Sequence, residues 1–313
     1  MPRAVKTRPQ DTKATKKTSL DAASPASAGR KRLFLLSLCL WSGFLPGCGR
    51  ETPPPPPPAG PEPELPAIGR LEPSEAVRID EEKFLEIHPP PRPEPLRWDF
   101  SPGRRYGYEV SQKLSQVTVV ASGNDKAVTR SEDRNGGYFE FVAAGGGTAL
   151  ARVKIQTRSS LIDGKPAPAE AIEKHPPTKF EARIGEDGVH TSGQKLGGAS
   201  DPLIFLDILL ALQEGERESG NGKVLTRITG YFKIERHECA RLESEFELAP
   251  SLDSGRTLLR GRSVAYFALR ERRFVRAEMA IAQAMRSRAR TEQGAWVTRS
   301  TDLETAVRLR PID

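Results

Sequence analysis

Cysteine is scarce in this chain, which has three in 313 residues. Cys39 lies inside an apolar leader, Cys48 directly follows that leader, and Cys239 stands alone in the rest of the sequence. With no second cysteine left for Cys239, the fold has to rely on its own hydrophobic core rather than on an intramolecular disulfide. The chain also lacks the Cys-x-x-Cys and Cys/His spacings that are typical of zinc sites, so we predict no metal site.

Recognisable catalytic motifs are missing as well. The sequence contains no Gly-x-Ser-x-Gly and no His-Glu-x-x-His, and the Gly145-Gly146-Gly147 run lacks the Lys-Ser/Thr that completes a phosphate-binding loop. We interpret that glycine run as a hairpin. These absences predict that the protein is not an enzyme, that it has no catalytic residue and that it needs no cofactor.

Two groups of polar residues could in principle form a catalytic or metal site. His237 and Cys239 are two residues apart on a predicted strand and so share a face, which would allow a thiolate–imidazole pair, but the sequence offers no third group to orient it. We interpret Cys239 as a packed residue. The row Glu243, Glu245 and Glu247 is interpreted as a solvent-facing surface, opposed by basic residues on a neighbouring strand such as Arg270 or Arg276. Calcium binding is the alternative, but a straight strand does not converge its oxygens on one ion.

A net charge of +7 would favour nucleic acid or acidic lipid as a partner, but the positive charge is confined to the leader. Residues 1–47 hold nine basic and two acidic side chains, which leaves 39 of each sign in residues 48–313. The body of the protein is therefore neutral and has no overall field that would gather phosphates. We predict that it does not bind nucleic acid.

The leader has the features of an export signal. A positive stretch, Arg30-Lys31-Arg32, precedes the apolar run at residues 33–45. A helix of this length spans about 20 Å, which is short of the roughly 30 Å hydrocarbon core of a bilayer. A basic region, a short apolar run and then small residues are typical of a secretory signal rather than of a membrane-spanning helix.

The run ends in Leu45-Pro46-Gly47-Cys48, which resembles the lipobox that signal peptidase II recognises in bacterial lipoproteins. The resemblance implies that residues 1–47 are a signal peptide cut between Gly47 and Cys48. It also implies that Cys48 receives a diacylglyceryl group and a palmitate-type acyl chain, which together anchor the protein to a membrane. Gly49 stands where an aspartate would retain the protein in the inner membrane, so we expect the outer membrane. The alternative is an uncleaved or ordinary signal with an incidental cysteine.

Proline dominates residues 48–97, including an unbroken run at 53–58. Proline removes amide donors and fixes φ, so this stretch should extend as polyproline II and act as a semi-rigid stalk. The alternative is a docking ligand for an aromatic groove.

Residues 98–313 show the period-two alternation of antiparallel β-strands. The pattern is clearest in residues 241–248, where Leu242, Phe246 and Leu248 alternate with charged neighbours. Turn residues such as Asn135-Gly136-Gly137 and Asp163-Gly164 separate the strands. Further strands are predicted at 104–120, 137–143, 149–158, 179–184, 224–236, 262–271, 273–288 and 295–309. Alternation with one wet and one dry face predicts a mainly β domain built on a curved antiparallel sheet, like a half-barrel.

Residues 202–213 predict one apolar helix, with Asp201 as its cap and Gly215 beyond its end. Its leucines and isoleucines occur on nearly every side, so we expect it to be buried on the concave face of the sheet. Two hypotheses remain open: ordinary core packing, or a helix that yields to admit a lipid.

A lipobox, a stalk and a curved sheet around an apolar helix resemble the half-barrel lipoprotein and glycolipid carriers. The opening at residues 98–103, with Tyr106 and Tyr108, is similar to that of uncharacterised bacterial lipoproteins. In such carriers the concave face holds acyl chains. The resemblance implies that the corresponding face of this chain is lined by the following residues: Val153, Ile155, Phe246, Leu248, Met279 and Ile281. No motif assigns ligand-binding residues one by one. The sequence favours a non-catalytic structural or interaction module with an envelope partner; a lipid carrier and an enzyme of unrecognised type are the alternatives.

Overall fold

The computed structural model describes residues 62–73, 84–174, 176–189, 208–218, 222–249, 255–291 and 294–312. The chain divides into two compact units, Met1–Pro53 and Pro54–Asp313, and every described residue belongs to the second unit. The predicted signal peptide, the cleavage site at Gly47 and the acylation site at Cys48 lie outside the described residues. Within the described ranges, no helix is long and apolar enough to cross a membrane.

Twelve β-strands and the short helix α1 form the regular structure of the described residues. The long strands are β2 Arg105–Ser122, β3 Asp125–Gly145, β4 Thr148–Ile162, β8 Gly222–Ile234, β9 His237–Leu248, β10 Gly255–Ala268, β11 Arg273–Arg290 and β12 Trp296–Ile312. The shorter elements are β1 Leu85–Glu86, β5 Lys165–Pro166, α1 Ala169–Glu173, β6 Thr178–Gly185 and β7 Gly215–Glu218.

All twelve strands belong to one antiparallel sheet, in the order β1-β8-β9-β10-β11-β12-β2-β3-β4-β5. At one edge β7 also pairs with β8, and at the other β6 also pairs with β4. Two meanders, β2 to β4 and β8 to β12, are joined by the pairing of β12 with β2. The sheet is curved and does not close. The prediction of a mainly β, curved antiparallel sheet is therefore confirmed.

The alternation of residue types gives the sheet two unlike faces. On β9, Leu242, Phe246 and Leu248 are buried, whereas Glu245 and Glu247 are exposed. Residues paired across neighbouring strands share a face, so the register extends this alternation over β8, β10 and β11. We call the face that carries Leu242 and Phe246 the inner face and the opposite one the outer face. The main hydrophobic core lies on the inner face.

Glycine turns occur at two predicted places. Gly145, Gly146 and Gly147 connect β3 to β4, all three with positive φ. Asp163-Gly164 connects β4 to β5, with φ of 48° and 78°. Both predictions are confirmed.

The turn predicted at Asn135-Gly136-Gly137 is wrong, because these residues lie within β3. The close approach of the neighbouring backbone requires glycine at Gly137, whereas the atoms nearest Gly136 belong to a flexible arginine side chain. A Cβ on Gly137 would stand 1.9 Å from the Lys154 carbonyl oxygen, and one on Gly136 would stand 2.0 Å from Nε of Arg158. The register with β4 also shifts at Arg134/Asn135, which marks a β-bulge.

The helix predicted over residues 202–213 ends earlier than expected. Residues 201–207 lie outside the described part of the chain, residues 208 and 209 are helical, and residues 210–214 are not. The predicted helical state of 210–213 is therefore wrong. The described helix α1 buries no residue, so it does not take over the expected role on the concave face.

Hydrogen bonds to other elements explain this early end. The Leu212 amide donates to the Asp187 carbonyl at 2.9 Å, and the Leu210 carbonyl accepts the indole N–H of Trp98 at 3.5 Å. These groups therefore bond outside a helical ladder. Burial of the segment agrees with the expectation, since residues 208–212 are all buried.

Candidate functional site

The inner face is uncharged across a broad part of the sheet. Apart from Lys233 and Glu238, which pair across the β8–β9 hairpin end, the register places an apolar, glycine, hydroxyl or amide residue at every described inward position of β8, β9, β10 and β11. The outward positions of the same strands include many charged groups, among them Lys223, Arg227, Glu243, Glu245, Glu247, Arg260, Arg262, Glu278 and Arg286. An uncharged face of this kind favours contact with uncharged groups, because an unpaired buried charge is costly.

An aromatic cluster fills one end of the inner face. Trp98 is 1% exposed, and its ring centroid lies 5.0 Å from those of Phe141 and Phe274 and 5.6 Å from that of Phe267. The Trp98 amide donates to the Glu186 carbonyl at 2.8 Å. The rings interlock edge to face, an arrangement that stabilises an apolar core. This end of the face is therefore occupied by the protein itself.

Both tyrosines of the opening segment contribute to this cluster. The Tyr106 hydroxyl donates to the Asp99 carbonyl at 2.8 Å. Burial, with the nearby Asp99 charge, raises the pKa of Tyr106 to about 12. Burial also raises the pKa of Tyr108, whose ring stands edge-on to that of Phe141. Trp98 and Phe100 of the opening segment thus pack with Tyr106 and Tyr108, while residues 101–103 are exposed.

The middle of the inner face is apolar and buried. The residues that the carrier resemblance implies are on this face, and most are nearly inaccessible: Phe246 (3% exposed), Leu248 (2%), Met279 (1%), Ile281 (2%) and Val153 (6%), while Ile155 is partly buried. Residues 208–210 and Leu212 belong to the same hydrophobic cluster. The structure therefore brings the implied residues to one surface, where they contact the chain's own core.

Beyond the apolar middle, the inner face becomes polar, and the register also places Asp133 of β3 and Arg299 of β12 at inward positions there. Thr118 lies 3.3 Å from Thr301 between hydroxyl oxygens, and the Gln116 amide donates to Thr118 at 2.8 Å. We call this set the polar band, and its buried members are Thr118, Thr257, Gln283, Thr301 and Thr305. Sequence reasoning missed it, although Thr and Gln at inward positions of the alternation were a visible signal.

Two oxygens near this end lack hydrogen-bond partners. Among the described residues, no group bonds to Thr257 Oγ1 or to Asn135 Oδ1, although both atoms are buried. By contrast, the Asn135 amide nitrogen donates to Gln112 at 3.0 Å, and Thr226 and Ser244 bond at 2.9 Å. Buried polar groups are nearly always paired, so these two oxygens mark positions where a bound polar group could be received.

The His237 and Cys239 pair is buried on the outer face, away from the polar band. The Cys239 thiol faces the His237 backbone carbonyl at 3.7 Å, and the imidazole Nδ1 lies 3.2 Å from the Glu271 carboxylate. Burial, and then the charge of Glu271, raises the pKa of Cys239 to about 12. The thiol therefore stays protonated at neutral pH, which disfavours nucleophilic chemistry there.

The carboxylate row on β9 is paired with arginines other than those expected. Arg241 contacts Glu243, and Arg260 lies 3.6 Å from Glu247. The expected partner Arg276 instead pairs with Glu278 on its own strand. Within the described ranges, no group of three or more His, Cys, Asp or Glu side chains could hold a metal ion.

No protein-family model matches this chain, and no curated protein matches it in sequence. The chain is similar to a solved structure of lipovitellin described by its lipid–protein interactions, with a TM-score of 0.38 and 9% identity over 69% of this chain. The match spans 26% of the lipovitellin chain. It is also similar to the outer membrane protease OmpT from Escherichia coli, with a TM-score of 0.22 and 10% identity over 66% of this chain and 97% of that one.

A third similar structure is a DUF1329 family protein from Desulfovibrio piger, with a TM-score of 0.12 and 11% identity over 61% of this chain and 83% of that one. TM-scores this low do not establish a common fold.

Proposed function

We propose that this protein is a non-catalytic lipoprotein of the bacterial envelope, anchored through Cys48, whose inner face binds the acyl chain of an uncharged amphiphile. The observation that carries the proposal is that the described inward positions of β8–β11 hold no charge except the cross-strand pair Lys233 and Glu238, whereas the outward positions hold many charges. In the sequence analysis, lipid binding is the alternative to a purely structural module.

The chemistry of the inner face suits such a molecule. An acyl chain gains about 0.8 kcal/mol for each methylene that leaves water, so an apolar surface is sufficient to hold it. Hydroxyl and amide groups of the polar band would receive the neutral, oxygen-rich end of the ligand, and the unpaired Thr257 oxygen supports this. A phosphate or carboxylate is disfavoured in the apolar middle of the inner face, where the register places no cation.

Access requires one segment to move. Residues 208–210 and Leu212 pack in the same hydrophobic cluster as the apolar middle, and the helical conformation ends at residue 209. The segment is held by two hydrogen bonds to other elements, from Leu212 to Asp187 and from Trp98 to Leu210. We infer that a ligand competes with this segment for the same apolar contacts.

A structural or interaction module remains the second candidate, and the aromatic cluster favours it. Trp98 packs against six other rings within about 6.5 Å, as a solid core would. A rigid domain of this kind needs no ligand.

The ligand proposal is tested on the full chain carrying Cys48→Ser, so that no covalent acyl group is present. A monoacylglycerol with a fluorescent acyl chain is titrated in, and a phosphoglycerol lipid with the same chain serves as the charged comparison. We expect saturable binding of the neutral probe and at least tenfold weaker binding of the charged one. Absence of saturable binding would leave the structural module as the better account.

A matched pair of variants locates the binding. Leu303 is an inward residue of β12 opposite Gln116, whereas Val119 is an outward residue of β2 opposite Ser300, and both are partly buried. Leu303→Glu should weaken neutral-probe binding about tenfold or more, because it places a charge on the inner face. Val119→Glu should leave binding unchanged. Equal losses in the two variants would argue against the inner face as the site.

The anchor is tested separately. In a bacterial host supplied with an alkyne-tagged palmitate, the wild-type chain should carry the label and fractionate with membranes. Cys48→Ser should remove the label and leave the chain unprocessed or soluble. An unlabelled wild-type chain would overturn the anchor without affecting the binding result.

A further inference from the structure

Part of the proline-rich segment lies on the outer face of the sheet. Residues 62–73 contact it at two separated points. Arg288 on β11 forms an ion pair with Glu62 and donates to the Pro63 carbonyl at 3.0 Å. Arg260 on β10 lies 3.8 Å from Glu72. The segment therefore crosses the face from β11 to β10 instead of leaving the sheet directly.

The sequence of this segment has a period of three. Leu65, Ile68 and Leu71 are each partly buried, whereas Pro66, Ala67 and Gly69 are exposed. Three residues per turn is the repeat of an extended polyproline-type conformation, in which every third side chain faces the same way. The segment thus has an apolar edge, and acidic residues Glu62 and Glu72 stand at its two ends.

The outer face offers a matching surface. Ala280, Ala282 and Ala284 are outward residues of β11 and are 1–2% exposed. Ala282 is the cross-strand partner of Arg260. Small side chains flanked by arginines leave a shallow track in which an extended chain with acidic ends can lie. At the Glu72 end, the track opens into a groove of about 420 Å³ that is lined by charges of both signs, including Lys223, Glu245, Glu247, Arg260 and Arg262.

We propose that this track is a binding site for the chain's own residues 62–73, and that the docked segment is a releasable clamp on the tether. Both ion pairs are partly exposed: Glu62 and Glu72 retain 52% and 56% of their side-chain exposure. Such pairs contribute little individually and are screened by salt. The clamp is accordingly weak enough to open while the sheet remains folded.

Release would change how far the domain can stand from its membrane, a consequence that rests on the proposed anchor at Cys48. From residue 48 to residue 62 the fully extended chain reaches at most about 50 Å, and from residue 48 to residue 84 at most about 130 Å. Docking therefore shortens the maximum reach by more than half. A partner that competes for the track would lengthen the tether.

Pulsed electron paramagnetic resonance tests the clamp without involving lipid. Nitroxides are placed at the exposed positions Ala67→Cys and Lys113→Cys in the full chain, with Cys39 and Cys48 changed to serine; Cys239 is 0% exposed and should not react. Low salt should give one narrow distance distribution. Combining Arg260→Gln with Arg288→Gln should raise the ratio of broad to narrow population about tenfold, since two exposed ion pairs are lost. Molar salt should act in the same direction.

Arg227→Gln with Arg310→Gln is the matched control, because it removes two exposed arginines from the same face without touching the segment. It should keep the narrow distribution. A broad distribution in the parent chain, or an unchanged one in the Arg260 and Arg288 variant, would overturn the clamp. A short distance between singly labelled copies would overturn it too, by showing a second copy on the track. None of these outcomes bears on lipid binding to the inner face.

Discussion

The two ends of the inner face differ in the kind of side chain that fills them. At one end, the indole N–H of Trp98 reaches the Leu210 carbonyl and the Tyr106 hydroxyl reaches the Asp99 carbonyl, whereas the buried Tyr108 hydroxyl has no hydrogen-bond partner among the described residues. At the other end, the buried Thr257 oxygen has no partner among the described residues. The ends therefore differ in the groups that fill them: aromatic rings dominate the first, and buried hydroxyl and amide groups dominate the second.

The difference separates a core from a candidate site. Aromatic packing stabilises the fold through area removed from water and through ring geometry. Buried hydroxyl and amide groups stabilise it only when they are paired, and each unpaired one is costly. The polar band therefore reduces stability at positions such as Thr257, which is how binding sites commonly differ from their surroundings.

The largest expected effect tests the aromatic end. Trp98→Ala should lower the free energy of unfolding by about 3–5 kcal/mol, because it empties the centre of the ring cluster. Urea unfolding of the full chain, followed by circular dichroism, measures the change.

Trp296→Ala is the matched control. Trp296 is partly exposed, and its ring lies 5.8 Å from the Arg290 guanidinium carbon. This substitution should cost about 1 kcal/mol or less, as a partly exposed cation–π contact is weak. If both variants lost a similar amount of unfolding free energy, the aromatic cluster would stabilise the fold no more than the partly exposed Trp296 ring does.

Much of this fold follows from the sequence because alternation is a local signal. Glu243 to Leu248 alternate in residue type, and that alone places Phe246 and Leu248 on the buried face of β9. The turn at Asp163-Gly164 is equally local, since positive φ at both residues suits that dipeptide.

Features that depend on distant partners could not be predicted this way. Gly136 and Gly137 resemble a turn, yet their role depends on Lys154 and Arg158 on a neighbouring strand. The helix ends at residue 209 because Trp98 and Asp187 bond to the segment that follows it. The polar band likewise required the register of β12 with β2, which brings Thr301 opposite Thr118.

The smallest expected change in unfolding free energy concerns the polar end, and it tests most directly whether an unpaired hydroxyl lies there. Thr257→Val keeps the shape of the side chain and removes its unpaired oxygen, so the free energy of unfolding should rise by up to about 1 kcal/mol. Thr226→Val is the matched control, because the Thr226 hydroxyl is also buried but bonds to Ser244 at 2.9 Å. That variant should lose about 1 kcal/mol. The two substitutions are chemically identical, so opposite signs would isolate pairing as the cause.

The same variant links stability to binding. If the Thr257 hydroxyl receives the neutral end of a ligand, Thr257→Val should weaken binding of the fluorescent monoacylglycerol several-fold while the unliganded protein becomes more stable. A gain in stability with unchanged binding would mean that this oxygen is unpaired for a reason unrelated to the ligand. A loss of stability would show that Thr257 is paired in solution, and the contrast between the two ends would then disappear.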